Sequence, residues 1–218
     1  MPRASQTQFG RAIALLFPLL AATSLVEAEV RLPNVFGDHM VLQRDKPINI
    51  WGWADAGERV SVTLGTSTAS TEAGEDGKWS LQLPAQKASP QAQSLTIKGH
   101  NEIKLADILI GEVWLCSGQS NMEWPMKRTA HGAEEIPKAN HPEIRLFNVQ
   151  GHIRNPDPQE DAPGAWMPCT PESVPGFSGV GYHFGDRLHA ELKVPIGLIG
   201  SNWGGTEIEP WTPQIGLE

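Results

Sequence analysis

The sequence predicts an all-β sandwich over residues 29–107 followed by an α/β domain over residues 108–218. Three observations carry this. Residues 32–106 hold short runs that alternate apolar and polar side chains, recur roughly every ten residues and are separated by turn formers. Beyond Ile108 the pattern becomes strand, helix, strand with short connections, which implies parallel pairing. Two of those later strands run into polar loops containing glycine, and on a parallel sheet such loops open at the same carboxyl edge.

The first 28 residues stand apart from both parts. Arg3 and Arg11 give a basic start, residues 12–22 form an apolar run of 11, and Val26-Glu27-Ala28 offers a cleavage site. This is the pattern of a secretory signal, too short to span a bilayer. The mature chain is therefore expected in the periplasm or outside the cell after cleavage near Ala28. The formal net charge of −8 becomes more acidic once the leader is gone, which argues against nucleic acid and anionic membrane as partners. Eight tryptophans accompany one tyrosine; indoles fill cores, and their faces also stack on sugars.

In order, strands are expected at Met40–Gln43, Ile48–Trp53, Val60–Leu64, Trp79–Leu83, Leu95–Lys98 and Ile103–Leu105. Asp55-Ala56-Gly57, Gly74-Glu75-Asp76-Gly77 and Ser89-Pro90 supply turns between them. Along the sequence no grouping of His, Asp or Glu that could carry chemistry is evident in this half, and a structural or substrate-shaping role is expected of it. Ile108-Leu109-Ile110 leads into a buried strand, Val113–Cys116, and Ile144–Val149 reads as another. Residues 150–176 carry prolines at 156, 158, 163, 168, 171 and 175 and are expected to be irregular. Ser178 is a plausible N-cap for a helix whose Val180, Phe184, Leu188 and Leu192 recur every four residues as a core stripe, and Pro195 stops it. Pro195–Gly200 is the next buried strand. Cys116 and Cys169 suit an oxidising compartment and leave two readings open, one disulfide or two separate buried thiols. Neither has a second ligand at C-x-x-C or C-x-x-H spacing, so no zinc site is expected.

The stretch Glu112–Met126, EVWLCSGQSNMEWPM, couples a strand to a small polar turn. Ser120 lies just past the strand end, where open α/β sheets bind ligands, and is a candidate nucleophile; an ordinary turn is the alternative. Acyl transfer also requires N–H donors for the oxyanion. Gly204-Gly205 in the later loop could present one with no Cβ in the way, although these glycines also suit a plain turn. A base is harder to find among His39, His100, His131, His141, His152, His183 and His189. Asp186 and His189 have Asp-x-x-His spacing but fall mid-helix, where such neighbours are ordinary. No G-x-S-x-G elbow is present.

GEVWLCSGQSNMEWPM resembles the nucleophile block of the sialate O-acetylesterase family, within the SGNH/GDSL hydrolases and carbohydrate acetyl esterases. LPNVFGDHMVLQRDKPINIWGWADAGERV, DGKWSLQLP, IRLFNV, WMPCTPESVPGF and VPIGLIGSNWGGTEIEPW continue the likeness in order, over residues 32–211. The resemblance implies an SGNH-type three-layer α/β/α domain behind an accessory β-sandwich. It implies Ser120 as nucleophile and oxyanion N–H donor, with Gly205 as the second donor. Gln119, Asn121, Gly204 and Thr206 are candidate substrate contacts. The implied reaction is removal of O-acetyl groups from sugars, above all sialate, through an acyl-enzyme, without metal or organic cofactor. Related readings are a deacetylase of acetylated plant polysaccharide and a secreted carbohydrate-binding module in which Ser120 is incidental. The family's QGE-like and Asp-x-x-His blocks lie downstream of the Gly loop and have no counterpart here. The catalytic His and Asp are thus expected outside this chain, which reads as an N-terminal portion with little activity alone and with an uncovered apolar sheet edge and face.

Overall fold

A computed structural model describes residues 29–151 and 157–216; the expected leader, and His152, lie outside the described residues. Among the described residues the strands are β1 (Val41–Gln43), β2 (Ile48–Trp53), β3 (Arg59–Leu64), β4 (Ser67–Glu72), β5 (Lys78–Leu83), β6 (Ser89–Lys98), β7 (Glu102–Gly118), β8 (His141–Asn148), β9 (Trp166–Cys169) and β10 (Ile196–Asn202). The α-helices are α1 (Ser120–Glu123), α2 (Gly132–Glu135) and α3 (Gly179–Leu192). The fold is mixed α/β and rich in sheet. β2 and β5 form an antiparallel pair, and a larger sheet runs β4-β3-β6-β7-β10-β8-β9 with β1 alongside β7.

In the first half the period-two reading holds. β2 buries Ile48 and Ile50 and turns Asn49 and Trp51 outward; β3 buries Val60, Val62 and Leu64. Alternation sends one face of each strand inward, so these residues meet Trp79, Leu83, Leu95 and Ile97 in one core. Phe147 of β8 and Trp166 of β9 pack into that same core. The two halves are therefore joined by shared apolar burial. β4, with the sequence STASTE, carries no apolar signal, and its side chains are partly exposed at the sheet margin. β9 interrupts the proline-rich segment expected to be irregular, pairing antiparallel with β8.

The organising element is β7. Its first part pairs antiparallel with β6, and its second part pairs parallel with β10 from Glu112↔Ile196 to Gly118↔Asn202. The strand is continuous through residue 107, where Asp107 adopts φ 58° beside a register shift. Asp107 Oδ2 accepts from Arg145 of β8 at 2.6 Å and pairs with His39 Nδ1 at 2.7 Å. Arg145 is buried and also donates to the carbonyls of Pro142 and His39. The Arg145 guanidinium, then His39, holds the Asp107 carboxyl below the usual carboxylate range.

α3 corrects the expected stripe. Ser178 does cap it, accepting from the Gly181 N–H at 3.0 Å. The buried residues, however, are Gly179, Gly181, Tyr182 and Gly185, while Val180, Phe184 and Leu192 are exposed. A strict four-residue spacing precesses by about 40° per step on a helix of 3.6 residues per turn, so the four cannot share one buried face, and of them Leu188 alone packs against the core. The glycine face replaces them because a Cβ at Gly185 would fall 2.5 Å from Leu198 of β10. Phe184 instead meets Trp114 edge to face at 5.2 Å, and both are open to solvent. Cys116 and Cys169 are free, buried thiols, and burial pushes Cys169 up to about 12. Of the two readings, separate thiols is the one found.

Along β7 the Glu112 N–H donates to Pro195, so alternate residues Val113, Leu115 and Ser117 turn their backbone groups to the other edge. Val113 N–H is met there by the Gln43 side chain, and beyond β1 no described strand pairs with that edge. Leu115 is 65% exposed. Hydrogen exchange is expected to show Leu115 and Ser117 amides exchanging much faster than those of Val62 and Ile97 in the interior of the sheet. Equal protection would contradict the open edge.

Candidate active site

β7 and β10 are parallel and end in register, Ser117 opposite Ser201 and Gly118 opposite Asn202, so their following loops emerge together. Trp203 N–H donates to the Gly118 carbonyl at 3.0 Å, which ties the second loop to the end of the first strand. Gly118, at φ 144°, turns the chain into α1, and Ser120 is the first residue of that helix. The Gln119 carbonyl accepts the N–H groups of Met122 and Glu123, both at 2.9 Å, and so fixes the turn from within.

The two loops touch at Ser120. A Cβ at Gly204 would sit 3.4 Å from both Cα and Oγ of Ser120 and 2.4 Å from Glu123 Oε2. The contact with Ser120 is an ordinary one, whereas a side chain at Gly204 would displace the Glu123 carboxylate. Glu123 Oε2 accepts the Gly204 N–H at 2.7 Å, so that N–H is already committed. Gly205 follows at φ 75°, with open space where a side chain would lie. Thr206 is engaged inside its own loop, donating to the Trp203 carbonyl and accepting from Trp211 Nε1, both at 2.8 Å.

Ser120 opens on a cleft of about 550 Å³ lined by residues of several elements: Glu123, Trp124, Lys127 and Arg128 shortly after Ser120, Asn148 at the end of β8, Ser178, and Asn202 at the end of β10. This volume suits a small ligand. The turn Met126–Arg128 is anchored by fully buried Met126, whose N–H donates to Phe177 at 2.8 Å, and Gly179 N–H donates back to Trp124. Of the residues expected from sequence, Gly204 lies against Ser120, and Gly205 follows it in the same loop. Asn121 instead borders a neighbouring cleft with Trp124, His131 and His183. Among the described residues no histidine lines the Ser120 cleft. His189 pairs through Nδ1 with the Val194 carbonyl at 2.9 Å, and Asp186 faces His141, so the mid-helix pair serves α3 and its neighbours. Sequence reasoning missed Asn148 and Asn202, although a polar residue closing a parallel strand was a usable signal.

Among the described residues, no helix is long and apolar enough to cross a membrane. Residues 110–217 match a family described as carbohydrate esterase, sialic acid-specific acetylesterase. The human sialate O-acetylesterase is 32% identical across 96% of this chain, and the rat enzyme 31% across 86%. The chain spans 44% and 38% of their respective lengths. A crystal structure of a carbohydrate acetylesterase from Xanthomonas citri superposes with a TM-score of 0.83 at 36% identity, covering 87% of this chain and 44% of that one. The strand-to-helix serine, the glycine loop bound against it and these likenesses agree: the chain belongs to the sialic acid-specific acetylesterase family of carbohydrate esterases.

Proposed function

We propose that this chain carries the nucleophile and oxyanion half of a serine esterase that removes O-acetyl groups from sugars, sialate foremost. The observation that carries the reading is the fit of Gly204 against Ser120, with Glu123 fastening the loop. Ser120 Oγ attacks the acetyl carbonyl and its proton passes to a base. The oxyanion is taken by the N–H groups of Ser120 and Gly205, the sugar leaves as its alcohol, and water then releases acetate from acetyl-Ser120. The base and its orienting acid are assigned, as the family resemblance implies, to a downstream segment; among the described residues no histidine lines the Ser120 cleft. On this reading residues 29–107 are an accessory β-sandwich, residues 108–218 are the first part of the SGNH-type domain, and residues 1–28 direct export.

The test is a fluorophosphonate probe applied to this chain and to a longer form carrying its downstream segment. Labelling mapped to Ser120, together with acetate release from O-acetylated sialate by the longer form, is the expected result. An unlabelled Ser120 in the longer form would sink the esterase reading and favour a sugar-binding module. Within the same assay Glu123→Ala is expected to slow labelling on the order of 10–100-fold, because the Gly loop loses its anchor. Glu123→Gln, which keeps an acceptor oxygen, should retain most of the rate. Equal rates for Glu123→Ala and the unsubstituted chain would remove Glu123 from any positioning role.

A further inference from the structure

The wall of the Ser120 cleft that follows α1 carries two adjacent cations, Lys127 and Arg128, in a chain of net charge −8. Arg44, Arg145 and Arg187 each hold a carboxylate, Glu112, Asp107 and Glu191 respectively. Among the described residues neither Lys127 nor Arg128 has such a partner. Glu123 shares the cleft, but its Oε2 is directed to the Gly204 N–H.

Arg128 is also held in place. Its guanidinium lies 5.9 Å from the centre of the Trp124 ring, and Trp124 Nε1 donates to the Arg128 carbonyl at 2.9 Å. The backbone beneath is fixed by buried Met126. A guanidinium stacked on an indole keeps its N–H fork available for a planar anion, and Arg–carboxylate pairs are among the stronger polar contacts. The exposed Trp124 ring adds a surface on which a sugar ring can rest.

We propose that Arg128, assisted by Lys127, is a specificity-determining site for the carboxylate of an acetylated sugar acid, so that the cleft selects anionic over neutral sugars. This rests on the reading of the Ser120 cleft as the substrate site. It goes further by naming the groups that recognise the acid rather than the acetyl ester. The carboxylate at one end and the acetyl carbonyl at Ser120 would fix the sugar at two points, which raises the population of productive poses.

The experiment is a binding measurement on the whole chain carrying Ser120→Ala, using N-acetylneuraminate and its C1 methyl ester, with no turnover required. The acid is expected to bind about tenfold more tightly than the ester. Arg128→Gln should erase that ratio by weakening the acid alone, Lys127→Gln should reduce it, and Arg128→Lys should restore part of it. The preference should also fall as salt is raised. Equal binding of acid and ester, equal weakening of both by Arg128→Gln, or no measurable binding of the acid would each overturn the proposal. Fluorophosphonate labelling reports separately on Ser120. A labelled serine without acid preference removes this site alone, whereas acid preference with Ser120 unlabelled in the longer form removes the esterase reading.

Discussion

Alanine at Ser120 is expected to abolish fluorophosphonate labelling and to lower kcat on the order of 10⁴–10⁶-fold in a longer form that carries the base and acid. The size follows from the chemistry. The nucleophile, base and acid act as one unit, so loss of the serine leaves only oxyanion and binding effects. The fold should survive unchanged, because Ser120 is exposed and its side chain makes no packing contact that defines the core. Acetate release by Ser120→Ala within tenfold of the unsubstituted protein would assign the chemistry elsewhere. A smaller effect is expected from Gly205→Ala. Its Cβ meets open space, and the strain comes from the positive φ instead.

The second large effect concerns stability. Asp107→Asn is expected to destabilise the chain by about 2–3 kcal/mol, the range for hydrogen bonds to charged groups. It strands Arg145, a buried cation whose remaining partners are the carbonyls of Pro142 and His39. For a protein of this size that lowers Tm by about 4–12 °C. The pH dependence has a definite sign. Asp107 is depressed in the folded state by Arg145 first and His39 second, so its contribution is full above the unfolded carboxylate value, about 3.9, and is lost as pH falls through the lower folded value. Asp107→Asn should therefore flatten the acid limb of the stability curve while lowering the neutral plateau. Thermal unfolding from about pH 2 to about pH 7, with Arg145→Met and the double variant to complete the cycle, checks it. An unchanged acid limb would remove the Asp107–Arg145 pair from the account.

How much of this was legible in the sequence depended on range. The strands of the first half showed themselves because Ile48, Ile50, Val60, Val62 and Leu64 alternate locally. β4 did not, since Ser and Thr at a sheet margin carry no apolar period. The buried face of α3 was hard to see by hydrophobicity because, beside Tyr182, it is built largely from Gly179, Gly181 and Gly185, which allow close approach and bury no side chain. Ser120 and the Gly204-Gly205 loop could be named because each is a local motif. The rest of the cleft could not: Arg128, Asn148 and Ser178 meet there only through the pairing of β8 and β10 and the docking of α3. Arg145 offered a clue that was not used. A charged residue inside the apolar run Ile144–Phe147 must find a partner when buried.

The uninterrupted course of β7 bears on how this protein could be cut, spliced or stretched. At about 3.3 Å per residue its seventeen residues have a contour of roughly 55 Å, pinned along its length by β6, β1 and β10. A protease would find no hinge at residue 107, and a chimera joined there would divide a beam instead of a tether. Any swap of the front half for another module must carry the beam with it. A pull applied to the N-terminal sheet would then reach the serine at the far tip with little slack in between.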